Sequence, residues 1–506
     1  MSVSNIVKSI QDIMRKDAGV DGDAQRIGQM AWLLFLKIFD SQEEELELLQ
    51  NDYESPIPSE LLWRNWASDK EGITGEAMLK FINDELFPAL KNLHASPTSN
   101  ARGFVAKEAF SDAFNYMKNG TLLRQVVNKV DEIDFHSSDA RHTFGDLYEK
   151  ILKDLQSSGN SGEFYTPRAV TRFVVEMIDP QLGEKVMDPA CGTGGFLACT
   201  MDHIKESGVV NTPEASQTLQ KQIYGVEKKQ LPHLLCTTNM LLHGIEVPSQ
   251  IRHDNTLARP LRDWGLRERF KVVVANPPFG GMEEDGIELN FPAATRTRET
   301  ADLFLQLIIH ILEANGRAAI VLPDGTLFGE GVKTKIKEKL LNECNLHTIV
   351  RLPNSVFAPY TSIKTNILFF EKGTPTENIW YYEVPLPEGV KAFNKTKPMK
   401  LEQFDGCADW WGEGKTQKSK LKRKNRKTNE QAWQVSIDEI KARNYNLDIK
   451  NPHQEEQVSH DPDELLINYA QQQGDIQKLR DQLKDILAAA LTDSAGKTGK
   501  ARGANK

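Results

Sequence analysis

The sequence predicts a doubly wound α/β fold, in which helices cover both faces of a mostly parallel sheet. Three observations lead to this prediction. Short apolar runs alternate with helix-sized stretches between residues 185 and 371, a spacing that is typical of βαβ units. A glycine-rich turn follows the first of these runs, and a pair of prolines ends the fourth. The residues before 158 show helical periodicity instead.

The N-terminal region, residues 1–158, is predicted to be a helical domain. Apolar side chains recur there at helical spacing, at Ile27, Met30, Leu33, Leu34 and Ile38. The stretch "HTFGDLYEKILKDLQ" at 142–156 repeats this pattern, and "SSGNSG" at 157–162 then breaks the chain. We therefore place a domain boundary close to residue 158.

Seven apolar runs are predicted to be the strands of the sheet. They lie at 185–187, 223–227, 250–253, 271–275, 318–322, 348–352 and 366–371. Only about a dozen residues separate the last two runs, so a final antiparallel hairpin is expected. The sheet domain is predicted to span residues 159–410.

Beyond the sheet, the sequence predicts a linker and a helical tail. Residues 411–460 include the basic stretch "KTQKSKLKRKNRK" at 415–427 and are predicted to be a linker that contacts a partner. Asp461-Pro462-Asp463-Glu464 is a typical helix start. Apolar residues follow at a/d-like spacing, at Leu465, Tyr469, Ile476, Leu479, Leu483, Ile486 and Ala490. The segment 461–506 is therefore predicted to form an amphipathic helix and then a disordered tail.

The chain has 506 residues, of which 26% are charged and 39% hydrophobic, and this composition predicts a soluble globular protein. No run approaches the roughly 20 apolar residues that cross a bilayer, so a cytoplasmic protein without a membrane partner is expected. The five cysteines form no Cys-x-x-Cys pair, and we expect neither a metal site nor a disulfide framework. The formal net charge is −9. Binding to nucleic acid would therefore need a local basic patch or a partner.

The turn after the first predicted strand indicates a ligand site. In "DPACGTGG", Asp188 follows the strand directly, and Gly194 and Gly195 precede a predicted helix. Such a turn lets a ligand approach the backbone and presents a helix N-terminus to an anionic group. The spacing matches neither the dinucleotide fingerprint nor a P-loop. Glu227 ends the next strand, where its carboxylate could accept hydrogen bonds from ribose hydroxyls. A ligand with a carboxylate and a ribose fits best, and a ligand-free turn with a solvated acid is the alternative.

The tetrapeptide Asn276-Pro277-Pro278-Phe279 ends the fourth strand. Proline lacks a backbone donor, so the ladder must stop there. The Asn276 side-chain oxygen and the Pro277 carbonyl could hold both hydrogens of one exocyclic amine and direct its lone pair at an electrophile. Phe279 could stack on the ring that carries this amine. The tetrapeptide and the glycine turn are expected to share one crevice, since ligands bind at the carboxyl ends of the strands. A plain strand stop with Phe279 in the core is the alternative.

With "GEFYTPR" at 162–168, these motifs resemble those of S-adenosylmethionine-dependent DNA adenine-N6 methyltransferases. The combination with helical regions on both sides is similar to the modification subunit of type I restriction–modification systems. This resemblance implies methyl transfer from S-adenosyl-L-methionine to adenine N6, with catalysis by Asn276, Pro277 and Phe279. It also implies cofactor contacts from Glu163, Phe164, Tyr165, Thr166, Pro167, Arg168, Asp188, Thr193, Gly194, Gly195, Glu227 and Asp254. Asp302 and Phe304 are further candidates for the pocket wall, and a core role is the alternative for Phe304.

The resemblance implies partners as well. These are double-stranded DNA, a separate subunit that supplies sequence specificity, and a restriction subunit with nuclease and translocase activity. Two copies of this chain are expected for each specificity subunit. The tail helix is the candidate docking element, and packing on its own chain is the alternative. Enzymes that methylate protein glutamine or ribosomal RNA share the Asn-Pro-Pro-Phe chemistry and are the main rival; a non-catalytic scaffold is a second one.

Overall fold

The computed structural model describes residues 3–135, 148, 165–358, 360–394, 396–412, 426–453, 473 and 476–484. The chain divides into two compact units, Met1–Asn451 and Pro452–Lys506. The larger unit contains an N-terminal group of helices and one large sheet. Among the described residues, no helix combines the length and the apolar character needed to span a bilayer.

The N-terminal part is helical, as predicted. Its helices are α1 (Val3–Met14), α2 (Asp23–Leu49), α3 (Trp63–Trp66), α4 (Gly75–Lys80), α5 (Phe87–Lys91), α6 (Ala101–Phe110) and α7 (Gly120–Asp131), and a π-helical stretch, Phe81–Leu86, joins α4 to α5. All five apolar positions predicted for α2 are buried. The predicted helix at 142–156 lies outside the described residues, except for Tyr148. The Tyr148 hydroxyl is buried and donates to the Leu235 carbonyl over 3.0 Å.

A nine-stranded sheet has the order β3-β2-β1-β4-β5-β7-β6-β8-β9. Its strands are β1 (Val186–Asp188), β2 (Ile223–Glu227), β3 (Ile251–His253), β4 (Phe270–Ala275), β5 (Leu312–Pro323), β6 (Cys344–Arg351), β7 (Thr365–Lys372), β8 (Asn378–Glu383) and β9 (Ala432–Ser436). Strands β1 to β5 are parallel, whereas β7 is antiparallel to both β5 and β6. The seven predicted strands and the final hairpin are confirmed.

Helices cover both faces of the sheet, which confirms the doubly wound fold class. They are α8 (Arg168–Ile178), α9 (Gly195–Glu206), α10 (Pro213–Lys221), α11 (Gln230–Leu242), α12 (Thr300–Ile311), α13 (Asp324–Phe328), α14 (Val332–Glu343), α15 (Asp405–Trp411) and α16 (Ile437–Ala442). Residues 272–275 of strand β4 are a continuous apolar run because both faces of the strand are covered by helices. Val272 and Val274 pack on one face with α8 and α9, and Val273 and Ala275 pack on the other with α12 and α14.

Strands β8 and β9 were not among the predicted strands, and β9 lies within the segment 411–460 that was predicted to be a basic linker. Residues 432–436 instead pair with β8 at the sheet edge, antiparallel. Trp433 is buried and stacks on Tyr381 of β8 with ring centroids 5.3 Å apart. Most of the basic stretch 415–427 lies outside the described residues. Arg426, near its end, lies 4.1 Å from the ring centroid of Trp411.

The second unit, Pro452–Lys506, is described only in part. Residues 476–484 are helical, and Ile476, Leu479 and Leu483 are exposed along them. Their spacing of three and four residues forms one apolar stripe, in agreement with the predicted amphipathic helix. The start of that helix, its end and the predicted disordered tail lie outside the described residues.

Candidate active site

A cavity of about 300 Å³ opens at the carboxyl ends of β1, β2, β3 and β4. The glycine turn and the Asn-Pro-Pro-Phe tetrapeptide both contribute to its wall, as the sequence predicted. Among the predicted site residues, those that line it are Thr166, Asp188, Thr193, Gly195, Glu227, Asp254 and Asn276. The two motifs, which lie about 80 residues apart in the chain, therefore face the same space.

The glycine turn connects β1 to α9. Gly194 has φ 81°, and an added Cβ there would lie 2.8 Å from the Cys236 Sγ. Only glycine satisfies both the backbone conformation and the close approach of α11. Gly194 thus shapes the turn without lining the cavity, while its neighbour Gly195 begins α9 and does line it.

Asp188 ends β1 with its side chain at the floor of the cavity, and the residue is 1% exposed. Its carboxyl group accepts a hydrogen bond from the Ala190 backbone N–H over 3.1 Å. Burial is the main cause that raises the pKa of Asp188 to about 8, and the negative charge of Glu227 contributes to the same shift. The carboxyl is therefore largely protonated at neutral pH. A cationic group brought into the cavity would favour its ionised form.

Replacing Asp188 with asparagine is expected to stabilise the ligand-free protein increasingly as pH rises from 4 to 8. The unfolded carboxyl ionises near pH 4, whereas the folded one ionises only near the pKa of about 8, so the wild type loses stability across this window. Asparagine does not titrate, and its side-chain oxygen can still accept from Ala190. One pKa unit corresponds to about 1.4 kcal/mol, and we expect a gain of at least that size by pH 8. Urea titrations of both proteins at pH 5 and pH 8 measure it, and an equal difference at the two pH values would contradict it.

Glu227 ties the end of β2 to the glycine turn. Its carboxylate oxygens accept from the backbone N–H groups of Gly192 over 2.9 Å and of Lys229 over 2.7 Å. A carboxylate has about four acceptor sites, so it can still accept from hydroxyls of a ligand. Asp254 follows β3 and lies beside Glu227, because its backbone N–H donates to the Glu227 carbonyl over 3.1 Å. The Asp254 carboxylate pairs with Arg252 and is half exposed.

The amide oxygen of Asn276 has no hydrogen-bond partner among the described residues. Its Nδ2 donates to the Thr166 Oγ1 over 2.9 Å, and this bond fixes which way the side-chain amide is turned. The Oδ1 is buried and accepts no hydrogen bond from any residue that the structure describes. An unsatisfied buried acceptor of this kind costs about 1–3 kcal/mol. A ligand amine that donated to Oδ1 would recover this free energy.

The remaining residues of the tetrapeptide differ in their surroundings. Pro277 is buried, and Pro278 lines the cavity. Phe279 is half buried, and its ring meets the edge of Phe357 with centroids 5.2 Å apart. Because Phe357 belongs to the segment between β6 and β7, Phe279 lies on the side of β4 away from the glycine turn.

Several residues expected to contact a cofactor make contacts with the elements around the cavity. Tyr165 is buried in the core of the N-terminal helices, and Pro167 precedes the first residue of α8. Arg168 donates to the Gly195 carbonyl over 3.4 Å and pairs with Asp202 on α9. Glu163 and Phe164 lie outside the described residues. Phe304 does line the cavity.

Asp302, the other candidate for the pocket wall, forms an ion pair with Lys333 over 2.7 Å instead of lining the cavity. The sequence analysis also missed residues of the wall, notably Lys228, Asn255, Thr300 and Glu283. The Glu283 side chain is 9% exposed, whereas those of its neighbours Glu284 and Asp285 are 76% and 90% exposed.

Glu283 accepts from the Lys228 Nζ and the Asn255 Nδ2, each over 3.2 Å. Three consecutive acids look alike in the sequence, and only tertiary packing selects the first of them. No sequence signal could have separated this residue from its neighbours.

Fold and site together define a class of protein. The sheet is doubly wound, an acid and a glycine turn follow β1, a second acid follows β2, and an acceptor pair follows β4. This arrangement is typical of an α/β methyltransferase that acts on an amine. Residues 139–461 match the family described as N-6 DNA Methylase, and residues 3–130 match the HsdM N-terminal domain. The chain belongs to the N-6 DNA methylases and, among them, to the modification subunits of type I restriction–modification systems.

Relatives of known type agree with this assignment. The methylase subunit of the type I restriction enzyme EcoEI of Escherichia coli is 69% identical over 98% of this chain and all of its own length. The EcoKI methylase subunit of Escherichia coli K12 is 29% identical, over 79% of this chain and 74% of its own. The chain is thus an adenine-specific DNA methyltransferase, and the rival substrates, protein glutamine and ribosomal RNA, receive no support from these relatives.

Solved structures share the fold over nearly the whole chain. The modification subunit of a putative type I restriction enzyme from Vibrio vulnificus YJ016 is 44% identical, with a TM-score of 0.78 over 91% of this chain and 98% of its own. A chain from a structural study of complex assembly and conformational transition in the type I restriction–modification system is 38% identical. Its TM-score is 0.81, over 97% of this chain and 99% of its own.

Proposed function

We propose that the methyl donor is S-adenosyl-L-methionine, bound in the cavity at β1 to β4, and that Asn276 receives the target amine there. The single observation that carries this proposal is the Asn276 Oδ1, which is buried beside the same cavity as the glycine turn and accepts no hydrogen bond from a described residue. The donors and acceptors of that cavity fit the cofactor. It is rich in carboxyl groups and lacks the P-loop that binds triphosphates, which suits a ligand with two cationic centres and a ribose.

Four residues would hold the cofactor directly. Glu227 would accept hydrogen bonds from the ribose hydroxyls, and Asp254 would accept one from the cofactor's adenine. Asp188, buried and largely protonated in the free protein, would ionise opposite the cationic methionine end. Thr193 lies in the turn itself. When bound, the cofactor supplies a methyl group activated on a sulfonium.

Catalysis would rest on positioning. The Asn276 Oδ1 and the Pro277 carbonyl, which lies beyond the end of the β4 ladder, would accept the two N6 hydrogens of the target adenine. This arrangement withdraws the nitrogen lone pair from the ring and directs it at the methyl group. A general base is not required before attack, because the cationic product loses its proton readily. Phe279, fixed by its contact with Phe357, would stack on the base.

The other predicted site residues would position the cofactor-binding and catalytic residues. Thr166 orients Asn276 by accepting from its Nδ2. Gly194 and Gly195 shape the turn, while Tyr165, Pro167 and Arg168 anchor the start of α8 and link it to α9. Glu163 and Phe164 remain predictions from the family resemblance.

The DNA complex would require partners. The chain carries a formal net charge of −9, which opposes unaided binding to phosphates. We propose that a specificity subunit holds double-stranded DNA, with two copies of this chain per specificity subunit and a restriction subunit in the full complex. The segment 461–506, whose described part bears an apolar stripe, is the proposed docking element. Since the substrate is DNA, the complex would work in the cytoplasm.

The decisive experiment co-purifies this chain with the specificity subunit encoded beside it and supplies S-adenosyl-L-methionine labelled on its methyl group. Label is expected in DNA, at adenine N6, only when both subunits are present. The matched control is the same complex carrying Asn276→Ala. Labelling of protein by this chain alone, or of DNA by the alanine variant at the wild-type rate, would overturn the proposal.

A further inference from the structure

We propose that Phe328 is the wedge that enters the DNA duplex and fills the space left by the target adenine. This inference rests on the proposed function in one respect, namely that the Asn276 corner receives the base outside the duplex. A base buried in a duplex must leave the stack before its exocyclic amine can react. An apolar side chain inserted between base steps is a known way to stabilise such a distortion.

The position of Phe328 follows from sheet register. Helix α13, which ends at Phe328, begins directly after β5. Strand β5 is the parallel neighbour of β4, with Ala275 opposite Ile320, so both strands end at the same edge of the sheet. Adjacent strands lie about 4.8 Å apart. Strand β1, which leads to the glycine turn, borders β4 on its other side. The glycine turn after β1 and helix α13 after β5 therefore follow the two strands that border β4 on either side.

The Phe328 ring faces solvent. The residue is 51% exposed, whereas the two residues before it, Thr326 and Leu327, are buried. One exposed apolar residue would need no explanation by itself. The local backbone, however, is held in an unusual way.

A buried lysine fixes the backbone on both sides of Phe328. Lys337 of α14 is 1% exposed. Its Nζ donates to the Leu327 carbonyl over 2.6 Å and to the Gly329 carbonyl over 2.8 Å. Burial lowers the pKa of Lys337 to about 8, which shows that the ammonium is held there at a cost. The buried Lys337 thus fixes the backbone that carries the exposed Phe328 side chain.

The surface beside α13 suits a nucleic acid duplex. The Asp324 backbone N–H donates to the Lys364 carbonyl over 3.1 Å, so the segment before β7 lies next to the start of α13. Ile363, which is 48% exposed, and Lys364, also exposed, belong to that segment. Lysine side chains neutralise phosphates, and isoleucine and phenylalanine are among the residues that insert between bases. Apolar and cationic groups side by side fit duplex DNA better than a purely apolar protein surface.

The test compares Phe328→Ala with wild type in the complex with the specificity subunit. The first substrate is fully paired DNA. In the second, the base opposite the target adenine is replaced by an abasic site, which lowers the cost of extrusion. On paired DNA we expect Phe328→Ala to methylate about ten- to a hundredfold more slowly. On the second substrate its rate should return to near the wild-type value, and Phe328→Leu should retain most activity on both.

A fluorescence measurement reports the extrusion itself. With 2-aminopurine in place of the target adenine, wild type should raise the emission on paired DNA and Phe328→Ala should not. Leu266→Ala is the matched control, since Leu266 is 87% exposed but precedes β4 at the opposite sheet edge. It should behave as wild type.

Three results would overturn the inference: no loss on paired DNA, an equal loss on both substrates, or failure of Phe328→Ala to assemble with the specificity subunit. The last would mean that the surface contacts protein. Failure of the proposed function looks different, because wild type would then not label either DNA.

Discussion

Asn276→Ala is expected to reduce methyl transfer to DNA by about 10²–10³-fold, the loss typical when one preorganised hydrogen-bonding group is removed from a reacting centre. In the proposed mechanism the Asn276 Oδ1 and the Pro277 carbonyl accept the two amine hydrogens, and the Oδ1 has no competing partner among the described residues. Alanine removes one acceptor of the pair. Single-turnover rates with saturating cofactor measure the loss, and calorimetry with S-adenosylhomocysteine should show nearly unchanged binding.

Two further variants separate the acceptor from its orientation. Thr166→Val removes the hydroxyl that receives the Asn276 Nδ2 but keeps the side-chain shape, so the amide is free to turn over. We expect a smaller loss, confined to kcat, because the acceptor itself is retained. Asn276→Asp keeps the oxygen and should fall between wild type and alanine. Full turnover by Asn276→Ala would show that this corner does not hold the amine.

The strands and the motifs that follow them could be predicted because both are visible in short, local stretches of sequence. Residues 272–275 are apolar without alternation, since Val272 and Val274 face one core while Val273 and Ala275 face the other. The prolines that follow cannot extend the ladder. A glycine turn after one parallel strand and an acceptor pair after another must then meet at one sheet edge, whatever the details of packing.

The parts that could not be predicted depend on contacts between distant residues. The hydrogen bond between Thr166 and Asn276, which joins residues 110 positions apart, was not predicted. Strand β9 is five residues long, and it forms only because β8, about 50 residues earlier, offers a free edge. Arg168 stands in a cofactor motif, yet its ion pair with Asp202 directs it along α9. The motifs thus predicted which segments line the cavity, whereas the contacts of each residue depend on packing.

Gly194→Ala is expected to lower the free energy of unfolding by about 2–5 kcal/mol and to abolish cofactor binding. A side chain at φ 81° is strained, and the new Cβ would stand 2.8 Å from the Cys236 Sγ and 3.3 Å from the Met240 Cε. Relief of that clash would move the turn that carries Thr193 and the start of α9. Urea titration and calorimetry with S-adenosylhomocysteine measure the two effects.

Matched variants separate the two causes of this loss of stability, which are backbone strain at Gly194 and the clash with Cys236. Gly183 has φ 88°, and an added Cβ there would meet nothing within 4 Å. Gly183→Ala should therefore show the conformational part alone, about 1–2 kcal/mol, with cofactor binding intact. Adding Cys236→Ala to Gly194→Ala removes the sulfur and should recover part of the packing term, a coupling that a double-mutant cycle isolates. Equal losses at the two glycines, or no recovery in the double variant, would show that contact with α11 does not shape the cofactor turn.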